Sequence, residues 1–256
     1  MKRIILCEGR TDAILISYFL EKCFGWAYIS EHPVKLPLTD ERNEELNWYR
    51  HLDRVGREQE LAIWGVGGVA QIPVKLRAVS DNNQRNPRPT DRFEYVVLFL
   101  DHDKSVQACL DVVEGWIADS DITLAGELQS GQWVDAEVDL RGVTPPARHQ
   151  LHLLPIVLPP DKSGALETFL TDCWKQLSEA DEQLAKAARA FIDELPEVAK
   201  TTYLNHRRLP DKACLGAILS VFSPDGLFLQ IHPRLQSIPW EKIQDAAAVY
   251  GKLETL

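Results

Sequence analysis

The chain has no apolar stretch approaching the ~18 residues of a membrane-crossing helix, so no membrane association through a helix is expected. Its five cysteines, Cys7, Cys23, Cys109, Cys173 and Cys214, are odd in number and form no Cys-x-x-Cys pair. That argues against a disulfide framework or a zinc ribbon and for free thiols in a reducing compartment. The seven histidines, among them His102, His149 and His152, show no helical metal-ligand spacing, and none is assigned to zinc. Positive charge is also short: 28 Lys and Arg against 38 Asp and Glu give a net charge of −10. A broad non-specific nucleic-acid surface is normally basic, so this balance counts against one while leaving room for a local groove. No Gly-Lys-Ser/Thr P-loop occurs, and Gly65-Val66-Gly67-Gly68 lacks the last glycine of a dinucleotide fingerprint, which leaves a tight turn as its reading. The apolar run after Met1-Lys2-Arg3 stops at Cys7, too soon for a signal peptide, and a cytoplasmic location is expected.

What is present is an ordinary globular composition, 45% hydrophobic and 26% charged over 256 residues, enough for one large domain or two small ones. Ile4 to Cys7 is a short continuous apolar run, as in a strand whose sheet is covered on both faces. Glu8 ends it, Gly9 permits a turn, and Ile14, Leu15, Tyr18 and Phe19 then fall at helical spacing. Asp12, taken alone, reads as a helix cap, and it lies where it can share a crevice with Glu8.

A second run, Tyr95 to Leu100, ends in Asp101-His102-Asp103. Residues two apart on an extended chain face the same side, so Asp101 and Asp103 can converge while His102 points away. Carboxylates about 4 Å apart repel by roughly 4 kcal/mol at an effective dielectric of 20, a penalty that a bound divalent cation removes. All-oxygen ligation favours Mg²⁺ or Mn²⁺.

Glu-Gly-x-x-Asp behind one apolar strand and Asp-x-Asp behind another resemble the Toprim domain of topoisomerases, bacterial primases and several nucleases. Within that superfamily the chain is most similar to the overcoming-lysogenisation-defect nucleases and to small stand-alone Toprim-like proteins of unknown function. Two later segments carry this likeness. Ser163-Gly164-Ala165-Leu166-Glu167 looks like the Gly-x-Leu-Glu segment after the fourth strand, which implies Glu167 as a further metal-site acid. Asp211-Lys212-Ala213 looks like the start of the late helix whose lysine joins the active site, which implies that Lys212 neutralises charge on a transferring phosphoryl group. Read without the resemblance, Glu167 is a helix former and Lys212 a solvated lysine. The resemblance also implies Glu8 in proton transfer or metal ligation, with Asp12, Asp101, Asp103 and Glu167 completing the metal set.

Leu61 to Trp64 and Gln150 to Leu158 read as further strands. Helical spacing marks Val106 to about Asp119, Ala165 to Gln176, Asp181 to Leu195, Lys212 to Phe222 and Trp240 to Tyr250. The expected fold class is therefore α/β: a Toprim-like Rossmannoid parallel sheet with helices on both faces, plus a mainly helical C-terminal extension. Residues 1–160 form the core, with insertions near 31–57, read as an extra helix with its loop, and near 121–146, read as a hairpin or loop outside the core. Residues 161–256 form the helical part packed on it. Trp64, Trp174 and Trp240 are expected in the core rather than stacked on bases. Candidate basic grooves are Arg85, Arg88 and Arg92 in one loop, and His206, Arg207 and Arg208 just before Lys212.

The expected activity is a Mg²⁺- or Mn²⁺-dependent nuclease acting on DNA or RNA. The alternatives are a non-catalytic or partner-dependent metal- or nucleotide-binding module, set beside a separate ATPase, and a phosphotransferase or phosphatase acting on a small nucleotide. Topoisomerase and primase activities are not expected, since no segment reads as a domain for strand passage or template handling.

Overall fold

The computed structural model describes residues 2–30, 45–53, 55–102, 105–224, 235–236 and 238–255. Four parallel strands form the centre of an eight-stranded mixed sheet: β1 (Lys2–Cys7), β4 (Glu58–Gly65), β5 (Phe93–Asp101) and β8 (Arg148–Leu158). Their spatial order is β4-β1-β5-β8. β2 (Ala27–Ile29) and β3 (Glu45–Leu52) extend the sheet antiparallel beyond β4, and β7 (Val134–Asp139) and β6 (Thr123–Leu124) do so beyond β8.

All of β1 is buried, which accounts for its unbroken apolar run. Ile5 and Cys7 face one apolar layer with Ile14, Leu15 and Phe19 of helix α1 (Arg10–Lys22). Ile4 and Leu6 face the other, with Leu76 and Val79 of α2 (Ile72–Arg85) and Leu110 and Val113 of α3 (Val106–Asp119). The chain moves from β1 to β4 on one side and then places β5 on the other. Strand order thus reverses beside β1, the position where open α/β sheets form a crevice at the strand carboxyl ends.

The C-terminal helices are α4 (Leu166–Trp174), α5 (Glu179–Asp193), α6 (Glu197–Tyr203), α7 (Leu209–Phe222) and α8 (Gln244–Tyr250). α4, α5, α7 and α8 join the α1 layer: Trp174, Ile218 and Tyr250, and Trp240 from the turn before α8, are fully or almost fully buried in the same cluster as Ile5 and Phe19. Tyr250 stacks on Phe19 and Phe99, with ring centroids 4.6 and 5.3 Å away. The expected α/β class with a helical C-terminal part is therefore present, and Trp64, Trp174 and Trp240 lie in the core.

Two expectations need correction. The stretch near 31–57 reads from its sequence as a helix with its loop, yet residues 45–52 form β3, paired with β4 from Glu45↔Gly65 to Leu52↔Glu58. Trp48 packs into one layer and Tyr49 into the other, so both faces are covered and no alternation marks the strand. Residues 31–44 of that expectation lie outside the described residues. The 121–146 stretch does contain a hairpin, but it belongs to the sheet. Val134, Ala136 and Val138 are buried in the α2 and α3 layer while Asp135 and Asp139 stay exposed.

No described helix is long and apolar enough to cross a membrane.

Candidate active site

Glu8 and Asp101 leave adjacent parallel strands at the same rim, because Cys7 and Phe99 are register partners of β1 and β5. A Glu8 Oε1 atom accepts the backbone N–H of Asp101 at 3.0 Å. The backbone carbonyl of Glu8 accepts the N–H of Gly68 at 2.7 Å, so the glycine loop after β4 braces the turn that carries this glutamate. The two turns approach closely: a Cβ on Gly65 would lie 3.3 Å from the Gly9 carbonyl oxygen. The glycines thus serve turn geometry and close backbone packing.

Asp101 Oδ1 accepts the N–H of Leu166 at 2.9 Å, at the start of α4. A carboxylate there meets the positive end of the helix. Its other oxygen meets Arg208 Nη1 at 3.1 Å, and the same nitrogen lies 3.8 Å from Glu8 Oε2. Arg208 immediately precedes α7, so three elements distant in sequence converge on two carboxylates.

Asp12 sits behind this pair, 8% exposed, and its Oδ2 accepts the Gly9 N–H at 2.9 Å. That bond closes the first turn of α1, the capping role its position suggested. Burial, followed by the nearby charges of Glu8 and Glu167, pushes its pKa to about 7, although the Gly9 N–H pulls the other way. Asp101 is pushed to about 8, first by burial and then by Glu8 and Asp12, with Arg208 opposing. Glu8, Asp12, Asp101 and Glu167 therefore share one anionic environment.

Glu167 lies in the first turn of α4 and pairs with Lys212 of α7 at 3.2 Å. Just before α4, Gly164 packs closely against Thr168. Its φ is +158°, and an added Cβ would lie 2.8 Å from Thr168 Oγ1, while its N–H donates to the His102 carbonyl at 3.1 Å. His102 itself turns away from the carboxylates, its Nε2 on the Pro159 carbonyl oxygen at 2.7 Å. Its neighbour Asp103 lies outside the described residues. Arg85, Arg88 and Arg92 precede β5 and so occupy the opposite rim from the carboxylates; Arg92 Nε donates to the Asn86 carbonyl, and Arg85 pairs with Asp81. A groove at this site is not built from them. Of the second basic group, Arg208 does reach the site; the sequence singles out the residue, but not its pairing with Asp101, 107 residues apart.

Among the described residues, no three His, Cys, Asp or Glu side chains close around one point as a ready metal cluster. Glu8 and Asp101 do present oxygen ligands at a crowded anionic rim. Mg²⁺ commonly uses one or two carboxylates, completed by water and substrate phosphate. The pair therefore fits such an ion, with Glu167 across the rim and Asp12 as a buried support.

Fold and rim together define an α/β protein with two carboxylates gathered at the strand carboxyl ends, beside a reversal of strand order. The chain belongs to the DUF3226 family, described as proteins of unknown function, whose model matches residues 2–232. No curated protein matches the chain. A solved structure, hypothetical protein PH0156 from Pyrococcus horikoshii OT3, is similar at 13% identity and a TM-score of 0.48, over 98% of this chain and 99% of that one.

Proposed function

We propose that this protein is a Toprim-like, Mg²⁺- or Mn²⁺-dependent nuclease that hydrolyses phosphodiester bonds of DNA or RNA at the β1–β5 rim. The observation that carries this reading is the convergence of Glu8 and Asp101 on one guanidinium nitrogen at the strand carboxyl ends. Carboxylates held this close in a mostly buried site favour a cation between them.

Glu8 and Asp101 would hold the ion. When bound, it would polarise the phosphoryl group and lower the pKa of a water molecule. Glu8 would take the proton of an attacking water as the water oxygen bonds to phosphorus. The bond from phosphorus to the leaving sugar oxygen breaks, and that oxygen takes a proton from solvent. Arg208 and Lys212 stand beside the carboxylates to offset negative charge on the phosphoryl oxygens. The Leu166 N–H keeps Asp101 oriented throughout.

One observation favours a second reading, a partner-dependent binding module beside a separate ATPase: Arg208 already neutralises part of the site. Cleavage of supercoiled plasmid, single-stranded DNA and structured RNA with Mg²⁺, Mn²⁺ or EDTA separates the two, with Glu8→Ala as control for contaminating nuclease. Metal-dependent cutting that disappears in Glu8→Ala is the expected result. Metal binding without cutting of any polymer would overturn the nuclease reading in favour of the module.

A further inference from the structure

A cavity of about 390 Å³ opens between α1 and the β2–β3 edge of the sheet. Strand register builds its sheet wall. Tyr28 and Tyr49 are directly opposed across β2 and β3, their rings edge to face with centroids 5.8 Å apart, and Asn47 lies two residues before Tyr49 on the same face. Tyr49 belongs to the α1 layer, so this face is turned toward α1. The helix supplies Ala13, Ile14, Ser17 and Glu21, a stripe at helical spacing, and Gln236 completes the lining.

Hydrogen bonding inside the cavity is only partly committed. Ser17 Oγ donates its single proton to the Ala13 carbonyl at 2.7 Å, so in its 2.6 Å contact with the Tyr49 hydroxyl the tyrosine is the donor. Toward a ligand, the Tyr49 oxygen is therefore an acceptor. The amides of Asn47 and Gln236 make no hydrogen bond among the described residues, nor does the Tyr28 hydroxyl. Asn47 stands opposite the buried Ile63 of β4, at the edge of the apolar layer, where polar groups are ordinarily paired. An uncommitted amide in that position points to a ligand.

The lining also sets the ligand's charge. Among the described residues one carboxylate, Glu21, and no lysine or arginine line the cavity, so a phosphate finds no counter-charge there. Ala13, Ile14 and the two tyrosine rings offer apolar surface to a flat ring, and an Asn or Gln amide matches the adjacent donor and acceptor of an adenine edge, N6 and N7. The volume lies within the range of small-molecule sites. We propose that this cavity binds an uncharged adenine nucleoside, its base edge held by the amides of Asn47 and Gln236 and its ring set against Ala13, Ile14 and the tyrosines. Neither Glu8 nor Asp101 lines it, and the inference stands whether or not the protein cuts nucleic acid.

Isothermal titration of the full chain with adenosine is the test. Wild type is expected to bind adenosine. Asn47→Ala and Gln236→Ala are each expected to bind it about tenfold more weakly, the loss of one amide-to-base contact, with melting temperatures unchanged because neither amide bonds within the described fold. AMP, which adds charge, and N6,N6-dimethyladenosine, which lacks the N6 donor, are each expected to bind wild type about tenfold more weakly than adenosine does. The dimethyl ligand reads the base edge on unaltered protein, so the test survives a variant that folds poorly. No adenosine binding up to ~1 mM would overturn the proposal. So would unaltered affinity in either folded variant, or AMP or the dimethyl compound binding as tightly as adenosine. Cleavage with Glu8→Ala is a separate measurement, and either result can fail while the other stands.

Discussion

The carboxylate of Glu8 accepts the backbone N–H of Asp101 at 3.0 Å, joining the ends of two neighbouring parallel strands through a side chain. Glutamine can accept the same bond without carrying charge. Glu8→Gln is therefore expected to keep the wild-type melting temperature while lowering cleavage by about 10²–10⁴, the range of a lost general base. Glu8→Ala should lose cleavage and also melt lower, because the Asp101 N–H loses its partner. Paired thermal melts and plasmid assays decide; full activity in Glu8→Gln would remove Glu8 from the chemistry.

Arg208 acts as an internal counter-ion for Asp101 and Glu8. Removing it takes a counter-ion from mostly buried negative charge, which costs stability. Arg208→Ala is expected to melt lower than wild type in EDTA and to gain more from added Mn²⁺, because the ion then replaces the missing cation. Differential scanning fluorimetry across a Mn²⁺ titration reads this directly. An unchanged Mn²⁺ response would separate the guanidinium from the ion's position.

Asp12 and Asp101 have folded-state pKa values of about 7 and about 8, above the ordinary aspartate value of 3.8. The folded protein thus binds more protons than the unfolded chain between pH ~4 and ~8, and its stability falls as pH rises through that window. Metal-free protein should melt higher at pH 5 than at pH 8. An asparagine amide oxygen can accept the Gly9 N–H as the carboxylate does, so Asp12→Asn is expected to raise the melting temperature at pH 8 and change it little at pH 5. At this chain length roughly 2–4 °C corresponds to each kcal/mol. A flat pH profile in EDTA would contradict the shared anionic environment.

Lys212 meets Glu167 at 3.2 Å and is about half exposed, so the pair should contribute under about 1 kcal/mol. Lys212→Gln is then expected to leave stability nearly unchanged. A fall in kcat of tenfold or more, with KM little altered, would mark the lysine as acting on the transition state. Equal, small effects on both would mark it as a surface ion pair.

Much of this architecture was legible from residue order. β1 and β5 announce themselves as continuous apolar runs because both their faces are covered, and the acids that end them follow directly. α5 shows its buried positions, Ala185, Ala188 and Ile192, at helical spacing. β7 also carried a readable signal: Val134, Ala136 and Val138 alternate with Asp135, Glu137 and Asp139, but the surrounding Gly and Pro residues drew the segment toward a loop. β3 carried none, since Trp48 and Tyr49 are buried on opposite faces. Nor could sequence order reveal Arg208 on Asp101, because that contact depends on how the helices dock on the sheet.

The family match ends at residue 232, yet Ile238, Trp240, Tyr250 and Leu253 are buried in the same apolar layer as β1 and α1. Similarity and foldedness therefore stop at different places. A recombinant fragment trimmed to the matched stretch would uncover Phe19 and Phe99, whose rings Tyr250 now covers, and would behave as a sticky, aggregation-prone species rather than as a minimal domain.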